Sequence, residues 1–252
     1  MDHSVGAQTI PWGETIKQQM PDILRVLAAQ GYQGVETGMR HFDAADPGTY
    51  RELYRETGVT PLGLHSGGQF WKPEAAEEER RKLWDAVSFA KDVGFRHLVV
   101  SGNKAESVAS MKEAAATYAE LGRRCREAGL SFAYHNHNWE LANDAAILET
   151  LLVSTRPEEV SLLLDVAWAH LGGIETATLL ERYGDRVAYL HIKDVRGDRF
   201  CELGTGEMDL PGVLSLATAH GIEWLVVEQD YTDLTPEESM RINREYLSRH
   251  GV

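Results

Sequence analysis

The sequence has little cysteine and a deficit of positive charge. Its 252 residues include two cysteines, Cys125 and Cys201, which are too few for a disulfide framework or a thiolate metal site. The 25 lysines and arginines are outnumbered by 39 aspartates and glutamates, so the formal net charge is −14. Nucleic acids and anionic membranes are bound by basic surfaces, and we therefore expect neither as a partner.

Long apolar segments are also missing. No run approaches the roughly 20 apolar residues that cross a bilayer. The first residues, MDHSVGAQTIPWGE, do not combine a basic region with an apolar stretch as a secretory signal does. With 43% hydrophobic residues the chain can still bury a sizeable core. We expect a cytoplasmic protein with one domain, residues 1–252.

Short apolar runs alternate with longer helical patterns along the whole chain. Strands are predicted at 4–10, 33–37, 59–65, 95–101, 130–136, 160–165, 186–192 and 223–228. Helices are predicted near 15–30, 47–57, 74–93, 107–128, 143–153, 174–184, 210–220 and 235–250. Nearly continuous apolar strands are typical of a parallel sheet covered on both faces. Eight strand–helix units, with no glycine-rich dinucleotide motif after the first strand, favour an α/β fold of the (β/α)₈ TIM-barrel type.

Polar residues collect where the predicted strands end. They are Glu36, His65, His135, His137, Glu140, Asp165, His191 and Glu228. Functional groups of such barrels lie at the carboxyl ends of the strands, so we expect these side chains to converge.

Four of these residues form a candidate metal site. Glu140, Asp165, His191 and Glu228 offer three carboxylates and one imidazole, a set that suits one divalent ion such as Mn²⁺, Mg²⁺ or Co²⁺. In the alternative interpretation Asp165 caps a turn and Glu228 pairs with a lysine or arginine.

Histidines and a lysine are candidates for substrate binding and proton transfer. His135 and His137 alternate along a strand and so face one side. One can bind substrate while the other moves a proton, because an imidazole titrates near neutral pH. Alternatively they are a hydrogen-bonded pair inside the barrel. His65 is a candidate hydrogen-bond donor to substrate, and Lys193 a candidate partner for an anion or oxyanion.

Aromatic residues and one long loop complete the predicted mouth. Trp12, Trp71, Trp139 and Trp168 all follow predicted strands, where their faces suit the C–H faces of sugars or cyclic polyols, or form a lid that excludes water. In the loop 193–209, the segment 204–206 (GTG) resembles a phosphate cradle. The acidic residues around it favour a turn followed by a helix cap instead.

The chain resembles the xylose isomerase-like TIM-barrel superfamily, the sugar phosphate isomerase/epimerase group. The matching stretches are YHNHNWE at 134–140, LLLDVAWAH at 162–170, YLHIKDV at 189–195, ELGTGEMDLPGVL at 202–214, VVEQD at 226–230 and, in the first half, GLHSG at 63–67.

This resemblance implies that Glu140, Asp165, His191 and Glu228 bind one divalent ion, most often Mn²⁺. We expect Glu140 and Glu228 to take part in catalysis as well. It implies proton abstraction beside a carbonyl, with the metal stabilising an enediolate. The leading expectation is an isomerase or epimerase of a small sugar or keto-polyol. The alternative is a lyase that uses the same site, through inosose-type dehydration or β-elimination from a 3-keto-glycoside.

The chain departs from the sugar epimerases of this superfamily in strand five. Those enzymes commonly place a glutamate where this chain has Tyr134 or His135. The histidine-rich HNHNWE is closer to members that act on keto-inositols or 3-keto-glycosides, with His137 as base. Glu36 and Trp168 join His65, His135, Lys193, Trp12 and Trp71 as expected substrate contacts. A non-catalytic sugar-binding barrel is the more distant alternative, and members of the superfamily often form homo-oligomers.

Overall fold

The computed structural model describes residues 2–67, 76–101 and 107–252. Eight parallel strands close into a barrel. They are β1 (Ser4–Gln8), β2 (Gly34–Gly38), β3 (Thr60–Ser66), β4 (His97–Ser101), β5 (Ser131–His135), β6 (Ser161–Asp165), β7 (Val187–Ile192) and β10 (Trp224–Val227). Each strand pairs with its neighbour in sequence, and β10 pairs with both β7 and β1. The (β/α)₈ prediction is confirmed.

Helices cover the outside of the barrel. Those of the described residues are α1 (Ile16–Ala29), α2 (Pro47–Thr57), α3 (Ala76–Val93), α4 (Val108–Glu127), α5 (Asn138–Ser154), α6 (Val166–Leu171), α7 (Thr176–Tyr183), α8 (Leu210–Ala219) and α9 (Pro236–Arg249). Short 3₁₀ helices lie at Ile10–Thr15, Met39–His41 and Gly184–Arg186. None of the helices in the described ranges is long and apolar enough to cross a membrane.

Several elements differ from the predicted pattern, among them α6 (Val166–Leu171), which lies before the helix predicted at 174–184. Helix α5 begins at Asn138, before the predicted start at 143, and its backbone leaves helical geometry over 142–145. Asn143 and Asp144, at φ of 54° and 59°, are residue types that tolerate the left-handed region. After β7 the chain also forms a small antiparallel hairpin, β8 (Asp194–Arg196) and β9 (Arg199–Cys201).

The inside of the barrel holds a separate apolar cluster. It consists of Leu62, Val99, Ala133, Leu163, Tyr189, Trp224 and Val226, all buried. The larger core lies between the strands and the helices. Because the interior is filled with side chains, a ligand has access only to the ends of the barrel.

Candidate active site

A polar ring at the carboxyl end of the barrel follows from the alternation of side chains along the strands. Residues two positions apart in a strand share a face. In four strands an apolar residue of the barrel interior is followed two positions later by a polar one. The pairs are Ala133 and His135, Leu163 and Asp165, Tyr189 and His191, and Val226 and Glu228. The polar member of each pair is buried and closes the interior from above.

The four polar side chains bring one atom each to a common point. His191 Nδ1 lies 3.0 Å from His135 Nε2 and 3.0 Å from Glu228 Oε2. His135 Nε2 is 3.4 Å from Asp165 Oδ2 and 3.6 Å from Glu228 Oε2. All four atoms lie within 4.8 Å of one another. We refer to His135, Asp165, His191 and Glu228 as the four-residue cluster.

Glu36 fixes the orientation of His191 from behind. Its Oε2 is 2.7 Å from His191 Nε2 and 2.9 Å from His65 Nε2, and its Oε1 accepts a hydrogen bond from the Tyr189 hydroxyl. Gly63 leaves room for this carboxylate, because a Cβ atom there would lie 2.6 Å from Glu36 Oε1. When His191 Nε2 donates to Glu36, its Nδ1 lone pair faces the cluster, as in metal-ligating histidines.

The contacts of Asp165 and Glu228 agree in part with the metal-site interpretation and in part with the alternative of a helix cap and an ion pair. One oxygen of Asp165 caps α6 by accepting a hydrogen bond from the Trp168 backbone N–H at 2.8 Å. Its Oδ2 is buried and meets no donor in good hydrogen-bond geometry among the described residues, although Lys193 Nζ lies 3.1 Å and His135 Nε2 3.4 Å away. Glu228 Oε2 pairs with Lys193 Nζ at 2.6 Å. The cap and the ion pair are therefore present, and Asp165 still presents an oxygen to the cluster.

Glu140 has a different set of contacts from the one expected of a ligand. Its Oε1 accepts a hydrogen bond from the Tyr134 hydroxyl at 2.7 Å, and its Oε2 accepts one from the His137 backbone N–H at 2.9 Å. The second of these bonds is part of a capping box at the start of α5. The four-residue cluster contains His135 together with Asp165, His191 and Glu228, and it does not include Glu140.

The charges of the cluster stabilise one another. Burial by itself lowers the pKa of a histidine, but Asp165 and Glu228 raise the pKa of His135, and Glu228 and Glu36 raise that of His191 well above its usual value. Burial raises the pKa of a carboxyl group, yet Lys193 holds the pKa values of Asp165 and Glu228 below their usual range. Positive charge on the two histidines, on Lys193 or on a bound ion is therefore favoured beside Asp165 and Glu228.

The cluster fits a divalent ion. Ligand atoms about 2.1 Å from one ion are about 3.0 Å apart at right angles and about 3.4 Å apart at tetrahedral angles. The separations of 3.0 to 3.6 Å around His135 Nε2 agree with both geometries. The oriented His191 adds to the fit, and so does the buried Asp165 Oδ2, which lies 3.1 Å from the ammonium group of Lys193 and 3.4 Å from His135 Nε2. Two carboxylate oxygens suit Mn²⁺ and two imidazole nitrogens suit Zn²⁺ or Co²⁺, so the mixed set is compatible with each of these ions.

His137 lies beside the cluster in an aromatic setting. Its ring stacks on Trp139 at 4.2 Å between centroids and lies 5.3 Å from Trp168. Burial, followed by the charge of His135, lowers the pKa of His137 to about 3. The imidazole is therefore neutral at pH 7, and in this setting it is a weaker base than an exposed histidine. Phe200 of β9 continues this wall with an edge contact to Trp168 at 5.0 Å.

A cavity of about 130 Å³ opens above the cluster. Its lining residues are Gln8, Thr9, Ile10, Ile16, Gly38, Arg40, His41, His65, Ser101, His135, His137, Trp168, Glu228 and Asp230. Of the predicted substrate contacts, His65, His135 and Trp168 are among them. Glu36 is buried behind His191, and Lys193 is buried among carboxylates.

The predicted tryptophan contacts have different positions. Trp12 is part of the core, and its Nε1 donates a hydrogen bond to Glu237 at 3.2 Å, so its indole is not among those that line the cavity. Trp71 lies outside the described residues. Phe200, which the sequence analysis did not single out, contacts Trp168 from outside the residues that line the cavity. The hairpin that carries Phe200 gave no sequence signal beyond the length of the loop.

The glycine-rich segment 204–206 surrounds a carboxylate of the protein itself. Asp194 accepts hydrogen bonds from the backbone N–H groups of Gly204, Gly206 and Met208, at 2.9, 2.9 and 3.1 Å. A Cβ atom at Gly206 would lie 2.2 Å from Asp194 Oδ1. These backbone donors are therefore already occupied by an anion. The turn that was favoured over a phosphate cradle agrees with this arrangement.

Asp194→Ala is expected to destabilise the protein. Its removal leaves three partly buried N–H groups, of Gly204, Gly206 and Met208, without their acceptor, and because water can reach them in part, the combined cost is about 3 kcal/mol, below the full penalty of about 1–3 kcal/mol for each buried group. A loss of about 3 kcal/mol corresponds to a fall in Tm of about 6–12 °C for a chain of this size. Thermal unfolding followed by circular dichroism measures the change, with the exposed Asp198→Ala as control. Equal Tm values for the two variants would contradict the assigned role of Asp194.

Comparison with known proteins places the chain in a family. Residues 24–250 match the family model of the xylose isomerase-like TIM barrel, and the chain belongs to that family. It is 25% identical over 266 residues to the inosose dehydratase of Geobacillus kaustophilus (strain HTA426), covering 90% of this chain and 86% of the relative. The resemblance found in the sequence is confirmed, and the family contains sugar isomerases, epimerases and inosose dehydratases.

Solved structures support the fold. A sugar phosphate isomerase/epimerase from Parabacteroides distasonis ATCC 8503 superposes with a TM-score of 0.84 at 23% identity, over 98% of this chain and 94% of the other. The IOLI protein with a bound zinc atom superposes with a TM-score of 0.79 at 16% identity, over 98% and 97%. At these identities the likeness concerns the barrel alone.

Proposed function

We propose that the chain is a divalent-metal-dependent lyase that removes water from a small cyclic keto-polyol. The observation that carries this proposal is the four-residue cluster, buried at the base of a cavity and next to the neutral His137. The similarity to an inosose dehydratase over 90% of the chain supports the same class of substrate.

His135, Asp165, His191 and Glu228 would hold the ion. When bound, a divalent ion supplies Lewis-acid stabilisation of negative charge that develops on a substrate oxygen. Glu36 keeps the His191 ring in the ligating orientation through its bond to Nε2. The rings of Trp168 and Phe200 limit the access of water to the reacting atoms. We take Mn²⁺ as the first candidate ion, with Mg²⁺, Co²⁺ and Zn²⁺ as alternatives.

His137 is the proposed base. It takes the proton from the carbon beside the carbonyl and returns it to the hydroxyl group on the next carbon. That hydroxyl leaves as water while a carbon–carbon double bond forms, so atoms and charges balance. The carboxylates of Glu228 and Asp165, which raise the pKa of His137 against the effect of burial, stabilise the imidazolium formed in between.

Isomerisation or epimerisation is the second candidate, and it was the leading expectation from the sequence. Epimerases of this superfamily commonly use a glutamate in the fifth strand together with a second glutamate. In this chain the inward residue at the end of β5 is His135, and Tyr134 is turned toward α4, where it contacts Tyr118. The absence of a carboxylate at this position favours elimination. The fold shared with a sugar phosphate isomerase/epimerase keeps the second candidate in consideration.

Product analysis separates the two candidates. The protein, reconstituted with Mn²⁺, is incubated in deuterated buffer with inososes and with keto-sugars, and the products are followed by NMR. Elimination predicts an enone or its diketone tautomer, with the mass reduced by one water. Deuterium incorporation at the carbon beside the carbonyl without loss of mass would instead support the isomerase or epimerase. A saturable interaction that is indifferent to chelator and gives no product would support a sugar-binding barrel.

Metal affinity is expected to increase steeply with pH. Their carboxylate neighbours raise the pKa values of His135 and His191, so both imidazoles hold a proton more tightly than an isolated histidine does, and that proton must leave before the nitrogen can ligate. Protons therefore compete with the ion, and the affinity should fall by about 10- to 100-fold for each pH unit below neutrality. Calorimetric titration with Mn²⁺ between pH 6 and 8 in buffers of different ionisation enthalpy measures the affinity and the proton release. An affinity independent of pH would contradict the assignment of the two histidines as ligands.

Location and assembly stay predictions. Cys125 and Cys201 are both free, which agrees with the proposed reducing cytoplasm. A small carbohydrate or polyol is the proposed partner, and a homo-oligomer is the assembly that the resemblance implies.

A further inference from the structure

Lys193 lies among three carboxylates at the carboxyl end of β7. Its Nζ is 2.6 Å from Glu228 Oε2, 3.1 Å from Asp165 Oδ2 and 2.6 Å from Asp230 Oδ2. The side chain is 1% exposed. On another side, the ring centroids of Phe200 and Trp168 lie 4.7 and 5.4 Å from the ammonium group.

Two of these three oxygens are the same atoms that the four-residue cluster offers to a metal ion, namely Asp165 Oδ2 and Glu228 Oε2. An ion about 2.1 Å from these oxygens would lie within about 5 Å of the ammonium group. Repulsion between a divalent cation and an ammonium group at that separation is strong in a buried site, where the effective dielectric constant is low. Lys193 and the ion therefore compete for Asp165 and Glu228.

The third carboxylate, Asp230, lies outside the four-residue cluster and is more exposed than Asp165 and Glu228. It follows Glu228 by two residues, and its side chain is 29% exposed. Lys193 already bonds to Asp230 Oδ2 at 2.6 Å. The ammonium group can therefore leave the cluster without losing its last ionic partner, which would otherwise be very unfavourable in a buried position.

We propose that Asp230 is a positioning residue that receives Lys193 when a divalent ion enters the cluster. Before the ion binds, Lys193 is shared among Asp165, Glu228 and Asp230 and stabilises the buried carboxylates. Afterwards it is held by Asp230 alone, beside Trp168 at the wall of the cavity, where the ammonium group can meet an oxygen of the substrate. This inference rests on the proposed metal-dependent function.

A double-mutant cycle on metal affinity tests the proposal without an activity assay. Mn²⁺ binding to chelator-stripped protein is measured by calorimetry and by the EPR signal of free Mn²⁺, for wild type, Asp230→Asn, Lys193→Met and the double variant. Asp230→Asn should weaken binding by about 10- to 100-fold, the range typical of residues that orient metal ligands. Lys193→Met should bind at least as tightly as wild type. In the Lys193→Met background, Asp230→Asn should change the affinity by less than about threefold, because additivity fails between coupled residues.

The matched control is Asp233→Asn. Asp233 lies three residues further along, is exposed and pairs with Arg199 at 3.0 Å. The Asp233→Asn variant removes the same charge from the same loop and should leave the Mn²⁺ affinity unchanged. If it lost as much Mn²⁺ affinity as Asp230→Asn, the effect would be due to net charge. Lys193→Gln replaces Lys193→Met if the latter fails to fold.

The outcomes separate this inference from the proposed function. An equal effect of Asp230→Asn with and without Lys193 would show that Asp230 acts on the ion directly, and no effect in either background would remove Asp230 from metal binding. Either result overturns the inference while the metal-dependent function stands. A wild-type protein that binds no Mn²⁺ would overturn both.

Discussion

His135→Ala is expected to abolish tight binding of a divalent ion, whereas Glu140→Gln is expected to retain it. His135 Nε2 lies 3.0 to 3.6 Å from the nearest atoms of His191, Asp165 and Glu228. Glu140 instead bonds to the Tyr134 hydroxyl and the His137 backbone N–H. Changes to residues that only orient ligands cost about 10- to 100-fold in affinity, so removal of a ligand should cost at least about 100-fold. Glutamine at position 140 keeps a side chain that suits a capping box, and its affinity should stay within about threefold of wild type.

Calorimetric titration with Mn²⁺ measures both variants, and circular dichroism confirms that each is folded. His135→Gln is a second variant that retains hydrogen-bonding capacity in the buried site. The reverse result, in which Glu140→Gln loses the ion and His135→Ala keeps it, would restore the ligand set predicted from the sequence. It would also require the first turn of α5 to rearrange when the ion binds.

The second large effect is expected at His137. His137→Ala should lower kcat by about 10²- to 10⁴-fold, the usual contribution of a general base, while the Mn²⁺ affinity changes little. The side chain is outside the four-residue cluster, and its helix-capping contact to Glu140 is made by the backbone N–H. Turnover of an inosose and exchange of the proton beside its carbonyl are measured separately.

Trp139→Phe is the matched control, because phenylalanine keeps an aromatic face against the His137 ring. This variant should retain most of the turnover. If His137→Ala were as active as wild type, His137 would have no part in proton transfer. If it lost the ion together with the activity, its role would be structural.

The barrel and the position of the polar ring could be predicted because both depend on short-range patterns. Apolar runs separated by helical periodicity gave the eight strands, and the rule that functional groups lie at strand ends placed Asp165, His191 and Glu228 together. Each is the second residue after an inward apolar one. Period-two alternation is a property of every strand and needs no tertiary information.

The choice between Glu140 and His135 was less accessible to sequence reasoning. Three carboxylates and one imidazole are a reasonable ligand set by residue type. Whether Glu140 can point into the barrel, however, depends on how far strand β5 extends before helix α5 begins. Because β5 ends at His135 and α5 begins at Asn138, Glu140 is the third residue of a helix and bonds to its N-terminus. The same alternation that identified Asp165 would have selected His135, two residues after Ala133.

The aromatic residues show a second limit. Trp12 follows β1 and Trp168 follows β6 in the same way, yet Trp12 packs into the core and donates to Glu237 of α9, while Trp168 lines the cavity. That difference depends on contacts with a helix more than 200 residues away in sequence. Phe200 reaches Trp168 through a hairpin within an irregular loop, and hydrogen bonds to Asp194 fix part of that loop.

Metal content is the most direct test of the central claim, that the four-residue cluster holds a catalytic divalent ion. The protein is purified without chelator, and metals are quantified by mass spectrometry alongside a Glu228→Gln variant prepared in the same way. A near-stoichiometric divalent ion in the wild type, strongly reduced in Glu228→Gln, is the predicted result. No retained ion in the wild type, even after reconstitution with Mn²⁺, would contradict the claim and leave the four residues as a buried network of caps and ion pairs.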